Sequence, residues 1–374
     1  MEKKKVIVGL SGGVDSAVAC LLLKQQGYEV EGMFMRNWDS TLNNDVLGNP
    51  NDLNDVCPQE KDYMDALETA RLLGIPLHRV DFVDEYWNNV FQYFINEYNN
   101  NRTPNPDILC NKEIKFKCFL EKANELGCDY IAMGHYARVE HDGDTHTLLR
   151  GIDNNKDQTY FLCQLTQAQI SKALFPIGHL EKPEVRKIAI ENNLNVAKKK
   201  DSTGVCFIGE RNFKEFLKNY ILAKPGNMCT MDGTVVGKHD GIMYYTIGQR
   251  HGLGIGGPGD AWFVIGKRPK ENVLLVGQGD DQEYLFSNKC IVIGVNWMHE
   301  KFDGIKECTA KFRYRQPDVK VKLRFIDDTT LEVIYDEKSK AVTPGQAAVF
   351  YDGEVVLGGG TIDTVYMDDK LREY

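Results

Sequence analysis

Short apolar runs alternate with longer amphipathic stretches from residue 1 to about 135. KVIVGL (5–10), EVEGMFM (29–35), LHRVDF (77–82) and DYIAMGH (129–135) read as strands. Between them, residues 16–26, 58–73 and 113–126 read as helices closed by Gly27, Gly74 and Gly127, and 85–99 as an amphipathic segment rich in aromatics. The strands are apolar rather than alternating, which predicts an α/β fold with a mostly parallel, Rossmann-like sheet covered by helices on both faces. The polar run 37–57 interrupts this pattern and is expected as a surface loop. Residues 137–150 predict a hairpin turning at Asp142-Gly143, and 166–192 predict helix up to a loop at 196–212.

Beyond about residue 212 the texture changes. Glycine becomes frequent, as in IGQRHGLGIGGPGDAWFVIG (247–266), and predicts a small central β-rich domain. From about 287 the runs KVKLRF, TLEVIY, QAAVFY and EVVLGGGTI predict short strands closing a C-terminal antiparallel β-barrel. The expected domains are therefore 1–211, 212–286 and 287–374, in keeping with a chain of 374 residues, longer than one typical domain.

Ten cysteines are scattered along the chain without any CxxC pair, which argues against a secreted disulfide framework and against a zinc ribbon. The apolar run near the N-terminus is too short for a secretory signal, and no stretch approaches the roughly 20 apolar residues of a membrane span. A cytoplasmic location without a membrane partner is expected. The net charge of −9 leaves room for nucleic-acid binding only through local basic stripes.

The first strand runs into GLSGGVDS (9–16) and then directly into a helix. That arrangement is a phosphate cradle: Gly12 and Gly13 let the backbone approach an anion, and the positive end of the following helix points at the same place. Ser11 and Ser16 add hydroxyl donors, and Asp15, an acid inside an anion site, predicts a Mg²⁺ ion between its carboxylate and the phosphates. No Gly-Lys-Ser/Thr follows, so the loop is not of the kinase-like type. It resembles the loop of the PP-loop ATP pyrophosphatases, which implies adenylation of a substrate oxygen with release of pyrophosphate.

Two cysteines stand apart from the rest. Cys110 precedes a helix expected to begin near Glu113, and Cys206 lies in a glycine-containing loop behind three lysines. Both settings favour thiolate, whereas Cys20 and Cys118 fall on apolar helical faces and are expected in the core. An adenylating loop with two loop thiols points to one chemistry, in which ATP activates a carbonyl oxygen and a cysteine-borne sulfur replaces it.

The ordered set GLSGGVDS, NPDILCN (105–111), MGHYAR (133–138), KDQTYFL (156–162), DSTGVCFIGER (201–211), YTIGQRHGLGIGG (245–257) and RYRQ (313–316) resembles the signatures of the bacterial tRNA-specific 2-thiouridylases through all three expected domains. The resemblance implies conversion of the wobble uridine of tRNAs for Lys, Glu and Gln to 2-thiouridine. Gly9, Leu10, Ser11, Gly12, Gly13, Val14, Asp15, Ser16, Met35 and Gly134 would bind ATP. Cys206 would carry a persulfide received from a cysteine desulfurase or a sulfur-relay protein. Cys110 would be the nucleophile that frees the sulfur, ending as a Cys110–Cys206 disulfide, and Asp107 the general acid or base. Asn105, Pro106 and Asp107 would meet the target base; His135, Lys156, Asp157, Gln158, Arg313, Tyr314, Arg315 and Gln346 would meet the tRNA.

A base in the anticodon loop must be splayed into a pocket before its C2 atom is reached, so backbone contacts on either side are required. Lys311, Arg313, Arg315, Lys320, Lys322 and Arg324 recur at period two, which predicts two basic trios, each on one face of a strand. Two other readings stay open on sequence. A PP-loop synthetase acting on a small carboxylate or amide explains the first domain but leaves the two cysteines idle. A nucleotide-binding redox sensor uses the cysteines but predicts no turnover.

Overall fold

The computed structural model describes residues 3–47, 58–201, 204–206, 208 and 212–374. Cys57, the second half of the polar run 37–57 and most of the motif at 201–211 lie outside the described residues. The chain divides into two compact units, one made of 1–91, 106–216 and 354–356, the other of 92–105, 217–353 and 357–374.

The first unit is built on a parallel sheet. Its strands are β1 (Lys5–Gly9), β2 (Glu29–Arg36), β3 (Leu77–Asp81), β4 (Tyr130–Ala132) and, after the hairpin β5 (Ala137–Asp142) and β6 (Thr145–Arg150), β7 (Ala173–Leu174). They lie in the order β3-β2-β1-β4-β7, so the first strand is central and its carboxyl end is flanked by the ends of β2 and β4. Helix α1 (Val14–Gln25) packs Val14, Ala17, Val18 and Leu21 against Val6 and Val8. Helix α2 (Pro58–Leu73) adds Ala66 and Ala70 to the same core.

Three expected elements differ from the structure. Residues 166–192 are not one helix: a short helix Gln167–Ile170 is followed by β7 and then by helix Lys182–Glu191. Pro176 and Gly178 interrupt the helical pattern, and a Cβ on Gly178 would collide with the carbonyl of Ala137. The helix expected from Glu113 starts instead at Pro106 and runs as α (Pro106–Leu109), π (Cys110–Cys118) and α (Phe119–Glu125). Proline in the first turn was the truer start signal. Finally, the first part of the polar run is not a surface loop. Asn37, Trp38, Asn43 and Asp45 are buried, with Trp38 Nε1 donating to Asp45 at 3.0 Å and its ring packed on Tyr86, Phe91 and Phe216.

The second unit contains two β structures. Strands β8 (Gly226–Cys229), β9 (Val235–His239), β10 (Phe263–Arg268) and β11 (Val273–Gly277) form a four-stranded sheet in the order β10-β11-β8-β9. Strands β12 (Phe286–Trp297), β13 (Lys306–Lys311), β14 (Val319–Asp327), β15 (Thr330–Lys340), β16 (Ala347–Asp352) and β17 (Val355–Met367) form an antiparallel barrel, closed where β17 pairs back onto β12. In β14 exposed and buried residues alternate, which sets Lys320, Lys322 and Arg324 on one outer face as expected. The other trio fails: β13 ends at Lys311, and the chain then bends through Arg315 at φ 64°. Tyr314 consequently lies on no strand face. The Arg313 guanidinium turns back to Ile247 O (2.7 Å) and Thr343 Oγ1 (3.0 Å).

Candidate active site

The phosphate loop follows from where β1 ends. Gly12 adopts φ +75°, and Gly13 caps α1 without a side-chain bond, so the first-turn N–H groups of the helix have no intrahelical partner. Ser16, nearly fully buried, ties the loop to itself: its hydroxyl accepts from Ser11 N at 3.2 Å and donates to Gly13 O at 3.0 Å. Leu10 and Val14 face the core instead. At the neighbouring strand ends, Met35 and Met133 approach Gly9, and Gly134 sits so close to α1 that a Cβ there would lie 2.8 Å from Ser16 N.

Asp15 is not a lone acid. Lys182 Nζ donates to both of its carboxylate oxygens at 2.8 and 2.9 Å, and Tyr136 OH donates to Oδ1 at 2.9 Å. The same ammonium pairs with Asp201 at 2.9 Å, which also receives Lys156 and Arg186 at 2.7 Å each. Burial pushes the Asp201 carboxyl up, but Lys156 and Lys182 outweigh it and hold it at about 2. Lys199 grips the loop from the other side, donating to Gly12 O at 2.9 Å while pairing with Asp62 and Asp65 of α2.

Cys110 and Cys206, 96 residues apart in sequence, place their sulfurs 3.4 Å apart, both as free thiols. Cys110 is fully buried and donates to the Cys206 sulfur. Asp107 accepts from Cys206 N at 3.1 Å, and Tyr86 OH donates to Cys206 O at 2.8 Å, so the Cys206 backbone is held on both sides. The two thiols are electrostatically unlike. The Cys110 hydrogen bond, helped by Lys115, lowers the Cys206 thiol against the effect of burial, whereas burial pushes the Cys110 thiol well up. The expectation that Cys110 sits at a helix N-terminus and favours thiolate is therefore corrected: it lies inside the helix that began at Pro106. Burial also raises the Asp107 carboxyl, partly offset by the Cys206 N–H. Among the thiols expected in the core, Cys20 is fully buried and Cys118 only partly.

The remaining expected residues have mixed roles in the fold. His135 is buried against Phe116 and Phe175, its Nδ1 has no hydrogen-bond partner, and burial with Lys115 nearby holds it neutral. The Asp157 carboxylate is buried and accepts from Gly151 N and from Thr159, while Gln158 Oε1 accepts from Tyr136 N at 3.0 Å. Gln346 Nε2 donates to Thr103 O (2.8 Å) and Pro104 O (3.2 Å), the two residues preceding Asn105 and Pro106, which are themselves half-buried. Sequence reasoning missed Tyr86, Lys115, Tyr136 and Lys182, each of which acts on a partner that only folding brings near.

Family models match three successive stretches of the chain: "tRNA methyl transferase HUP domain" over residues 4–210, "tRNA methyl transferase PRC-barrel domain" over 214–278 and "Aminomethyltransferase beta-barrel domain" over 287–362. Curated relatives match from end to end. The tRNA-specific 2-thiouridylase MnmA 2 of Geobacillus kaustophilus is 59% identical over 374 residues, covering 100% of this chain and 98% of that protein. The tRNA-specific 2-thiouridylases MnmA of Geobacillus thermodenitrificans (58%; 100% and 98% covered) and Mesoplasma florum (60%; 97% and 100% covered) are equally similar. With the phosphate loop, the paired thiols and these matches along its whole length, the chain belongs to the tRNA-specific 2-thiouridylase (MnmA/TrmU) family.

Proposed function

We propose that this chain carries out the reaction of its family, ATP-dependent 2-thiolation of a uridine in tRNA, and that the wobble uridine of tRNAs for Lys, Glu and Gln is the target. The observation that carries the reading is the 3.4 Å pair of unlike thiols beside a carboxyl of raised pKa, in the same unit as an adenylating loop. Activation comes first: the C2 oxygen attacks the α-phosphorus of ATP, bound at Gly9 to Ser16 with Met35 and Gly134 beside it, and pyrophosphate leaves. Lys182, bonded to Asp15, and Lys199, bonded to Gly12 O, lie beside the loop and are proposed to balance the charge of the departing pyrophosphate.

Sulfur transfer follows at the thiol pair. Cys206, the more acidic thiol, accepts the outer sulfur of a donor persulfide; a new S–S bond forms and the donor leaves as thiolate. The donor is a cysteine desulfurase or a relay protein. The terminal sulfur then attacks C2, and Cys110 attacks Cys206 Sγ. That step forms the Cys110–Cys206 disulfide, reduces the transferred sulfur and expels AMP; an external reductant reopens the disulfide. Asp107, protonated to higher pH than an exposed carboxylate, has the pKa direction of a general acid and takes or returns the proton.

No group of three metal-binding side chains that would hold a resident ion occurs among the described residues. A Mg²⁺ arriving with ATP would be held by the phosphates and the Asp15 carboxylate, whose oxygens also accept from Lys182 and Tyr136. For tRNA, the support is the exposed Lys320, Lys322 and Arg324 face, tempered by Glu307 and Glu332, which pair with two of the three. Asn105, Pro106 and Asp107 are proposed to meet the target base, and His135, Lys156, Asp157, Gln158, Arg313, Tyr314, Arg315 and Gln346 the tRNA. The domain reading 1–211, 212–286 and 287–374 is supported by the ranges of the three family models. No described helix is long and apolar enough to cross a membrane.

The test is to incubate the purified protein with ATP, unmodified glutamate tRNA and sulfide under reducing conditions, then seek 2-thiouridine in the digested RNA by mass spectrometry. Product is expected only with ATP, and Cys110→Ser or Cys206→Ser is expected to abolish transfer from a protein persulfide. If no product forms and tRNA triggers no pyrophosphate release, the reaction assigned here is wrong, and a small-molecule synthetase or a redox sensor takes its place.

A further inference from the structure

Lys115 lies five residues beyond Cys110 on the stretch Cys110–Cys118, which is wound as a π-helix. Each hydrogen bond there spans five residues instead of four, so a residue five positions on returns to nearly the same face. In an α-helix, with 3.6 residues per turn, it points well away. The π winding therefore aims both Cys110 and Lys115 toward Cys206. The Lys115 ammonium hydrogen-bonds the Cys206 sulfur, and it also feels the charges of Cys110 and Asp107. Cys206 Sγ is thus flanked by one thiol donor at 3.4 Å and one cation.

Among the described residues that hold Cys206, Tyr86 OH is bonded to its carbonyl and Asp107 to its N–H, and neither is a cation. Burial works against a charge on Lys115, yet the two cysteines and Asp107 outweigh it and the lysine stays protonated. Of the two thiols, Cys206 is the one whose acidity is raised, by the Cys110 hydrogen bond first and by Lys115 after it.

We propose that Lys115 is a catalytic residue of sulfur transfer: its ammonium holds the Cys206 sulfur as an anion for attack on the donor persulfide, and afterwards holds the terminal sulfur of the loaded Cys206 persulfide. This rests on Cys206 being the carrier. When the Cys206 anion attacks the outer sulfur of a protein persulfide, the donor S–S bond breaks, its thiolate leaves, and the persulfide proton goes to solvent. The negative charge then resides one sulfur further out, still within reach of a flexible lysine side chain. No additional oxidant is needed for this step.

The experiment measures the alkylation rate of each cysteine by iodoacetamide against pH, by peptide mass spectrometry, in the wild type, Lys115→Met, Lys115→Gln and Lys115→Arg. In the wild type Cys206 is expected to react faster than Cys110 at pH 7. Loss of the cation should move the Cys206 profile up by about one pH unit, the lower end of what an adjacent opposite charge supplies, with arginine restoring it. Thiolation should fall by at least about tenfold in the neutral variants, while tRNA-dependent pyrophosphate release stays at the wild-type level. An unchanged Cys206 profile in a folded Met or Gln variant overturns the proposal. So does a wild type in which Cys206 is no faster than Cys110, a measurement that needs no variant to fold. Failure of the carrier reading itself shows separately, as full thiolation in Cys206→Ser.

Discussion

The two glycines of the phosphate loop look interchangeable in sequence, and the structure makes them unlike. Gly12 sits at φ +75°, and a Cβ there would collide with the carbonyl oxygen of Asp62 in α2. Gly13 has φ −102°, open to any residue, and its hypothetical Cβ meets only Ser11 Oγ at 3.4 Å. For Gly12→Ala the left-handed backbone alone costs about 1–2 kcal/mol, before any displacement of α2 or of Lys199, which bonds Gly12 O. Spread over a unit of this size, that corresponds to a loss of at least about 2–8 °C in Tm. Gly13→Ala should leave Tm within about 1 °C, as substitutions without strain do, yet weaken ATP binding if, as proposed, the phosphates approach the backbone at this position. Thermal unfolding followed by circular dichroism and ATP titration by calorimetry read both effects. A Gly12→Ala protein with wild-type Tm and wild-type affinity would refute the reasoning, and a Gly13→Ala protein as destabilised as Gly12→Ala would refute the contrast.

Three further outcomes follow from single contacts. Tyr136→Phe removes the hydroxyl that donates to Asp15, a bond to a charged, partly exposed acceptor worth about 1.5 kcal/mol; Tm should fall by about 3–6 °C and the KM for ATP should rise up to about tenfold, and an unaltered KM would show the hydroxyl to be idle in binding. Burial raises the Asp107 pKa, so its contribution favours the fold at low pH and is lost as pH rises through the folded-state value. Asp107→Asn, whose amide oxygen still accepts from Cys206 N, should therefore gain stability over the wild type at pH 7–8 and show no gain near pH 3, a neutral residue having nothing to titrate. The same variant should lose thiolation, and a gain independent of pH would contradict the assignment. Gln346→Ala frees the carbonyls of Thr103 and Pro104; thiolation should drop several-fold with ATP affinity intact, and equal loss of both would place the fault elsewhere.

What sequence made legible was local, and what it hid was not. The phosphate loop could be read because its chemistry lies within eight consecutive residues, and the barrel strands because burial alternates along them. Asp15 reads as a lone acid in sequence, since Lys182, which bonds it, lies 167 residues on. Cys110 looked like a loop thiol because the polar residues after it imitate a helix start, while Pro106 had already begun one. Lys311, Arg313 and Arg315 keep a period of two on paper into a bend where Arg315 turns to positive φ, which no periodicity detects. The π winding of Cys110–Cys118 is the clearest case. Apolar spacing does not distinguish it from an α-helix over nine residues, yet it decides that Lys115 points at a sulfur rather than away from it. The thiol pair is therefore specified twice: by the two cysteines, which sequence displays, and by a change in helical pitch, which it does not. Of the two, the pitch is what adds a cation to the sulfur that the Cys110 thiol already bonds.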